Sequence, residues 1–125
     1  GLEGRDYIDQ LATPTSNVLQ SSVLRRQVGP VSIAGEIDRI YFGSEDAVVI
    51  SDPVLGRRIT VTKSGSASTV VWNPWVEKAS RLGDLGPDGY RRFICVETAN
   101  AGGDRRVIAP GGTHTLRATI AVTAL

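Results

Sequence analysis

Ala47-Val48-Val49-Ile50-Ser51, then Asp52-Pro53-Val54-Leu55-Gly56, then Arg57-Arg58-Ile59-Thr60-Val61-Thr62: this stretch decides the fold class. The first five residues form a β-branched run. The last six alternate, with Ile59 and Val61 on one face and Arg58, Thr60 and Thr62 on the other, the period of two of a half-buried strand. Between them, Asp-Pro and Gly supply turn chemistry, so the whole reads as a hairpin.

The same signals recur on both sides. Ser68 to Trp72 reads as a strand that stops at Asn73-Pro74. Tyr90 to Thr98 is strand-like, with Phe93, Cys95 and Glu97 on one face and Ile94, Val96 and Thr98 on the other. Thr113 to Thr123 closes the chain with Leu116, Ala118, Ile120 and Val122 in phase. Ile37 to Phe42 and Arg5 to Asp9 are expected as shorter strands. One stretch reads as helix: Asn73 as N-cap, Pro74 in the first turn, Trp75, Val76, Ala79 and Leu82 at helical spacing, and Gly83 as the stop. Residues 12 to 29 are polar and carry no strong period. Gly and Pro punctuate the chain evenly, which favours many short strands. About seven antiparallel strands and one short helix indicate an all-β sandwich, or part of a larger one.

Composition bounds the function. The 125 residues suit one domain able to bury a core without staples. Fourteen basic against thirteen acidic residues give a net charge of +1, and no electrostatic case for nucleic acid or an anionic membrane. The apolar runs are too short to span a bilayer. Cys95 is alone, so it forms no intrachain disulfide, and a cytoplasmic home is the expectation. The chain contains no Met, so Gly1 is expected to follow a cut, a removed initiator or further sequence.

Few side chains carry candidate chemistry. Glu97 ends an apolar strand, where partial desolvation would raise a carboxylate toward general-base use; a strand-end Glu can equally reach solvent. Asp38, between Ile37 and Arg39-Ile40, could accept hydrogen bonds from hydroxyl groups or pair with Arg39. Trp72 and Trp75 could stack a sugar ring, though paired aromatics are more often core. His114 is the only His, with no second His or Cys pair beside it, so a catalytic metal is not expected. The Gly pairs at 102–103 and 111–112 lack phosphate-loop spacing, and the Arg doublets read as solvated faces.

Three segments together resemble a known family: Val71-Trp72-Asn73-Pro74-Trp75-Val76-Glu77-Lys78-Ala79, then the run from Gly86-Pro87-Asp88-Gly89-Tyr90 through Phe93-Ile94-Cys95-Val96-Glu97-Thr98-Ala99-Asn100, then Ile108-Ala109-Pro110-Gly111-Gly112-Thr113-His114-Thr115-Leu116. Gly1 to Asp9 and Glu36 to Tyr41 fit as well. The series is similar to the C-terminal portion of the hexose-6-phosphate mutarotases (glucose-6-phosphate 1-epimerases), a branch of the aldose 1-epimerase, galactose mutarotase-like superfamily. The resemblance implies a large β-sandwich with sugar across a concave face. It places the general base on Glu97 and a hydroxyl-binding carboxylate on Asp38, separated by 97 − 38 = 59 residues. It raises the standing of Trp72 and Asn73 as substrate-binding residues. The implied reaction is acid/base ring opening and closure that interconverts sugar anomers, with no metal or organic cofactor.

The family's general acid is a His in a His-Thr-Tyr-type segment, expected upstream of Gly1. His114 does not match it, and the expected phosphate-binding basic residues are not matched either. The chain therefore reads as the C-terminal portion of the enzyme, inactive alone. The other readings are a non-catalytic carbohydrate-binding or regulatory module, and a structural β-domain. An incomplete sandwich leaves strand edges and apolar surface uncovered, so self-association through sheet edges is expected.

Overall fold

The computed structural model describes residues 1–12, 24–44 and 46–125. Eight strands run through them: β1 (Asp6–Asp9), β2 (Leu24–Arg26), β3 (Ile37–Phe42), β4 (Val48–Asp52), β5 (Arg57–Ser64), β6 (Ser68–Asn73), β7 (Cys95–Ala99) and β8 (Arg117–Ala124). One helix, α1 (Trp75–Ala79), follows β6. The strands form two antiparallel sheets, one ordered β2-β1-β3-β6-β7 and the other β4-β5-β8. The all-β reading of the sequence is what the structure has. The hairpin is β4 and β5, with Val48 opposite Val61, Ile50 opposite Ile59 and Asp52 opposite Arg57.

Side-chain parity fixes the layers. Paired residues share a face, so Tyr7, Ile37, Tyr41, Val71 and Val96 all project from one side of the five-stranded sheet. Leu2, Tyr7, Ile37, Tyr41, Val71 and, from the second sheet, Val48 form the buried core, with Val31, Ile33, Ile94 and Val96 packed against it. A polar insertion sits beside that core: the Tyr41 hydroxyl donates to Gln27 Oε1 at 2.8 Å, and the Arg39 guanidinium lies 4.7 Å from the Tyr7 ring centroid. Tyr41 is fully buried, so this bond satisfies a hydroxyl that would otherwise be stranded. A cavity of about 410 Å³, lined among others by Leu2, Val31, Val48, Val71, Ile94 and Val96, lies between the sheets.

Three boundaries differ from the sequence expectation. The strand expected from Tyr90 begins at Cys95, because residues 89–92 wind into a 3-10 turn. That turn buries Tyr90, whose ring meets Trp75 edge-on at 5.2 Å. The helix expected to reach Leu82 ends at Ala79; beyond it, Arg81 and Leu82 bond back three residues, to Lys78 and Ala79, a tighter winding. The last strand begins at Arg117, not Thr113. His114 Nε2 instead lies 2.9 Å from Gly65 O and 3.0 Å from Asn100 Oδ1, which ties the preceding loop to the β5–β6 turn. Gly65 has φ +74°, and a Cβ there would collide with the Thr115 carbonyl. The polar segment at 12 to 29 contains β2; its residues 13–23 lie outside those described.

Candidate functional site

The opposite side of the five-stranded sheet carries the candidate chemistry. Asp38 pairs with Trp72, and Trp72 with Cys95. One row along, Ile40 pairs with Val70, and Val70 with Glu97. Asp38, Trp72, Cys95 and Glu97 therefore project from one face, the face away from the three-stranded sheet. Asp38 and Glu97 stand two strands and two residues apart, which puts their Cα atoms about 12 Å from each other. Gly102 closes one end of this face. Its φ is +57°, and a Cβ on it would lie 2.8 Å from the Phe42 ring.

Each side chain is held differently. Asp38 Oδ1 accepts from the Gln10 amide at 2.7 Å. It makes no ion pair with Arg39: neighbouring residues of a strand point to opposite faces, and Arg39 reaches the Gln27–Tyr41 cluster on the core side. Trp72 is half-buried, its ring 5.9 Å from Phe93 and tilted by 45°. Lys78, from α1, places its ammonium 5.7 Å from the Trp72 centroid and pairs with Glu36 at 3.0 Å. The two Trp rings do not form one platform, since Trp75 turns to Tyr90.

Glu97 is exposed. The apolar run does not bury it: among the described residues β7 is paired only with β6, which leaves the Glu97 side chain open. Its charge still acts locally: burial pushes the Cys95 thiol above its ordinary pKa, and the neighbouring Glu97 carboxylate adds to the rise.

Asn73 faces the other way. It is 2 % exposed, and Nδ2 donates to Tyr90 O and Phe93 O, each at 2.9 Å. Oδ1 accepts from Trp75 N at 2.9 Å, in the manner of a cap, which holds Trp75 at φ 54°. Its amide is committed to the backbone of the β6–α1 corner and of the 89–93 turn. Asn73 thus shapes the floor beneath Trp72 and Phe93 rather than opening to it.

Phe93 shares the parity of Glu97 and was legible as part of the face. Gln10 and Lys78 had no sequence signal, since each reaches the face from a distant segment. Among the described residues, no group of three His, Cys, Asp or Glu side chains is placed to hold a metal ion. An aromatic ring flanked by Glu36, Asp38 and Glu97 with one ammonium is a surface rich in acceptors, suited to a ligand with apolar ring faces and several hydroxyl donors.

The family model of aldose 1-epimerase matches residues 2–121. The chain belongs to the aldose 1-epimerase family. Among similar relatives, the "Putative glucose-6-phosphate 1-epimerase" of Escherichia coli (strain K12) is 33% identical over 111 residues, covering 89% of this chain and 35% of that protein. The protein of the same name from Salmonella typhimurium is 41% identical over 98 residues, 78% of this chain and 31% of that one. The crystal structure of a "putative mutarotase" from Salmonella typhimurium aligns over 100% of this chain and 39% of its own, with a TM-score of 0.71 and 29% identity. The chain thus spans about a third of the length of the curated relatives it matches. The antiparallel sheets and short helix of the described residues match the mutarotase-like β-sandwich of that solved structure. Among the described residues, no helix is long and apolar enough to cross a membrane.

Proposed function

We propose that this chain supplies the carboxylate side of an active site that interconverts the α and β anomers of a hexose 6-phosphate. The observation that carries the reading is the shared face of Asp38, Trp72 and Glu97, assembled by strand register from positions 59 residues apart (97 − 38) in a chain of this family. Glu97 takes the proton of the anomeric hydroxyl. As the C1–ring-oxygen bond breaks, a general acid protonates the ring oxygen. The open-chain aldehyde rotates about C1–C2, and reclosure with the proton movements reversed gives the other anomer. Acid and base must flank the anomeric carbon for both transfers to occur in one bound geometry. Asp38, oriented by Gln10, accepts from sugar hydroxyls, and Trp72 offers its face to the ring.

The general acid comes from polypeptide other than these residues. His114, the only His, is bonded to Gly65 and Asn100 at the far end of the fold, away from Asp38 and Trp72. The 125-residue chain alone is therefore inactive in this reading. The deciding experiment is anomer exchange on glucose 6-phosphate by NMR. One arm uses this chain, and the other uses this chain fused behind the N-terminal portion of the Escherichia coli relative. Exchange accelerated by the fusion alone, and abolished by Glu97→Gln in it, is the expected result. A folded fusion that binds sugar without accelerating exchange would leave a carbohydrate-binding module instead. Acceleration by the short chain would show that no outside acid is needed.

A further inference from the structure

We propose that Gln10 is itself a sugar-binding residue, an assignment that rests on the anomer-exchange reading of this face: with Asp38 it reads two hydroxyls on adjacent carbons and so sets which hexose the site accepts. Gln10 lies one residue past β1, where the antiparallel register Tyr7–Tyr41, Ile8–Ile40, Asp9–Arg39 brings it opposite Asp38. Two hydrogen bonds hold it there. Its backbone N–H donates to Asp38 O at 2.8 Å, and its side-chain amide donates to Asp38 Oδ1 at 2.7 Å. It thereby extends the row Asp38–Trp72–Cys95 by one strand, on the same face. Both bonds are made within this chain.

Valence decides what the pair offers. A carboxylate accepts only, so Glu36, Asp38 and Glu97 supply acceptors alone. A sugar hydroxyl donates one hydrogen and also accepts, so its oxygen needs a donor. The Lys78 ammonium is already paired with Glu36 at 3.0 Å. The Gln10 amide has two N–H groups, and the bond to Asp38 uses one of them. The second N–H and the second oxygen of Asp38 form a donor and an acceptor side by side. That edge matches two neighbouring hydroxyls, one donating to Asp38 and the other accepting from Gln10. The bond between the two side chains fixes their relative position before sugar arrives, so less freedom is lost on binding.

Register also orders the two contacts. Gln10 stands three strands and two residues from Glu97, about 16 Å between Cα atoms, against about 12 Å for Asp38. With Glu97 at the anomeric hydroxyl, Gln10 takes the hydroxyl farther from C1, and Asp38 takes its neighbour. A site that hydrogen-bonds a hydroxyl discriminates against the analogue lacking it, because its own polar group is left unpaired.

The test is anomer exchange by NMR with the same fusion protein, on glucose 6-phosphate and its 2-, 3- and 4-deoxy analogues. Gln10→Leu, its sheet content checked by circular dichroism, is expected to lose about two- to tenfold in kcat/KM on glucose 6-phosphate, carried by KM. On one deoxy analogue the wild type and Gln10→Leu are expected to be equal, since the hydroxyl that Gln10 reads is already gone. The loss caused by Asp38→Ala is expected to shrink on the analogue lacking the adjacent hydroxyl nearer C1. Gln10→Glu keeps the shape but replaces the donor with an acceptor against Asp38, and is expected to be at least as impaired as Gln10→Leu. A folded wild-type fusion that does not accelerate exchange overturns the anomer-exchange reading and this proposal with it. An active fusion in which Gln10→Leu loses the same factor on every analogue leaves that reading standing and overturns the proposal alone, because Gln10 then acts only through Asp38 or the fold. Full activity of Gln10→Glu overturns it in the same way.

Discussion

Replacing Asn73 with Ala removes three hydrogen bonds at one stroke. The Tyr90 and Phe93 carbonyls each lose a donor at 2.9 Å, and the Trp75 N–H loses its acceptor at 2.9 Å. A buried polar group left unpaired costs about 1–3 kcal/mol. The Tyr90 bond is buried and the other two are partly buried, so water can recover some of the loss at those two. The total is about 3–5 kcal/mol, a large share of the 5–15 kcal/mol or so that stabilises a typical domain. Trp75 is then also free to leave φ 54°, which uncouples the ring contact with Tyr90. Asn73→Asp separates donor from acceptor. It keeps the oxygen that Trp75 needs but turns a second oxygen toward the two carbonyls, so at neutral pH it is at least as damaging as Ala. Urea unfolding, followed by circular dichroism and Trp fluorescence at low protein concentration, reads both. The expected change is a lower midpoint at unchanged slope. A loss below about 1 kcal/mol for Asn73→Ala, or an Asp variant more stable than the Ala variant, would refute the reasoning.

Further outcomes follow from single groups. Glu97→Gln removes the negative charge that helps raise the Cys95 thiol, so alkylation of Cys95 at mildly alkaline pH is expected to speed up severalfold; an unchanged rate would mean that the two groups do not sense each other. At Asp104, burial opposes ionisation, but the Ala67 N–H, the Asn100 amide and the charges of Arg106 and Lys63 outweigh it and hold the carboxyl below its ordinary pKa. A depressed native pKa gives stability that is full above the unfolded value near 3.8 and lost as pH falls through the native one. The stability advantage of the wild type over Asp104→Asn should thus shrink between about pH 5 and pH 2, and a constant gap across that range would contradict it. Gly102→Ala combines a left-handed backbone with a 2.8 Å approach to Phe42, and is expected to cost about 1–3 kcal/mol in thermal or urea unfolding. Tyr41→Phe removes the 2.8 Å bond to Gln27 Oε1, which keeps only the longer one from Arg39 at 3.3 Å, and is expected to cost about 0.5–1.5 kcal/mol; a neutral change would show that Arg39 alone satisfies that oxygen.

Much of the architecture was legible before any coordinates. Period-two alternation marked β4 and β5, and the Asp-Pro and Gly turn between them set their pairing. The β3 segment was read to its residue limits, because its ends coincide with composition changes at Gly35-Glu36 and Gly43. Parity also placed Phe93, Cys95 and Glu97 on one face before the sheet was known. Local pattern failed where a distant partner decides the backbone. Tyr90 to Arg92 has strand-like composition, yet it winds into a 3-10 turn because Asn73 holds the Tyr90 carbonyl and Trp75 takes the Tyr90 ring. Residues 113–116 have the alternation of a strand, yet His114 is drawn to Gly65 and Asn100.

The sequence by itself determined the class of structure and the parity of each strand, because both follow from the two-residue repeat of the extended chain and from turn residues that act locally. It also carried the resemblance from which the family was inferred. The tertiary structure decided what no single segment encodes: that β3, β6 and β7 are neighbours, so that Asp38, Trp72 and Glu97 share a face; that Asn73 points away from that face; and that Glu97, on a strand paired only with β6 among the described residues, is exposed. Strand order and burial depend on which distant segments pack together, and that is settled by the summed contacts of the whole fold.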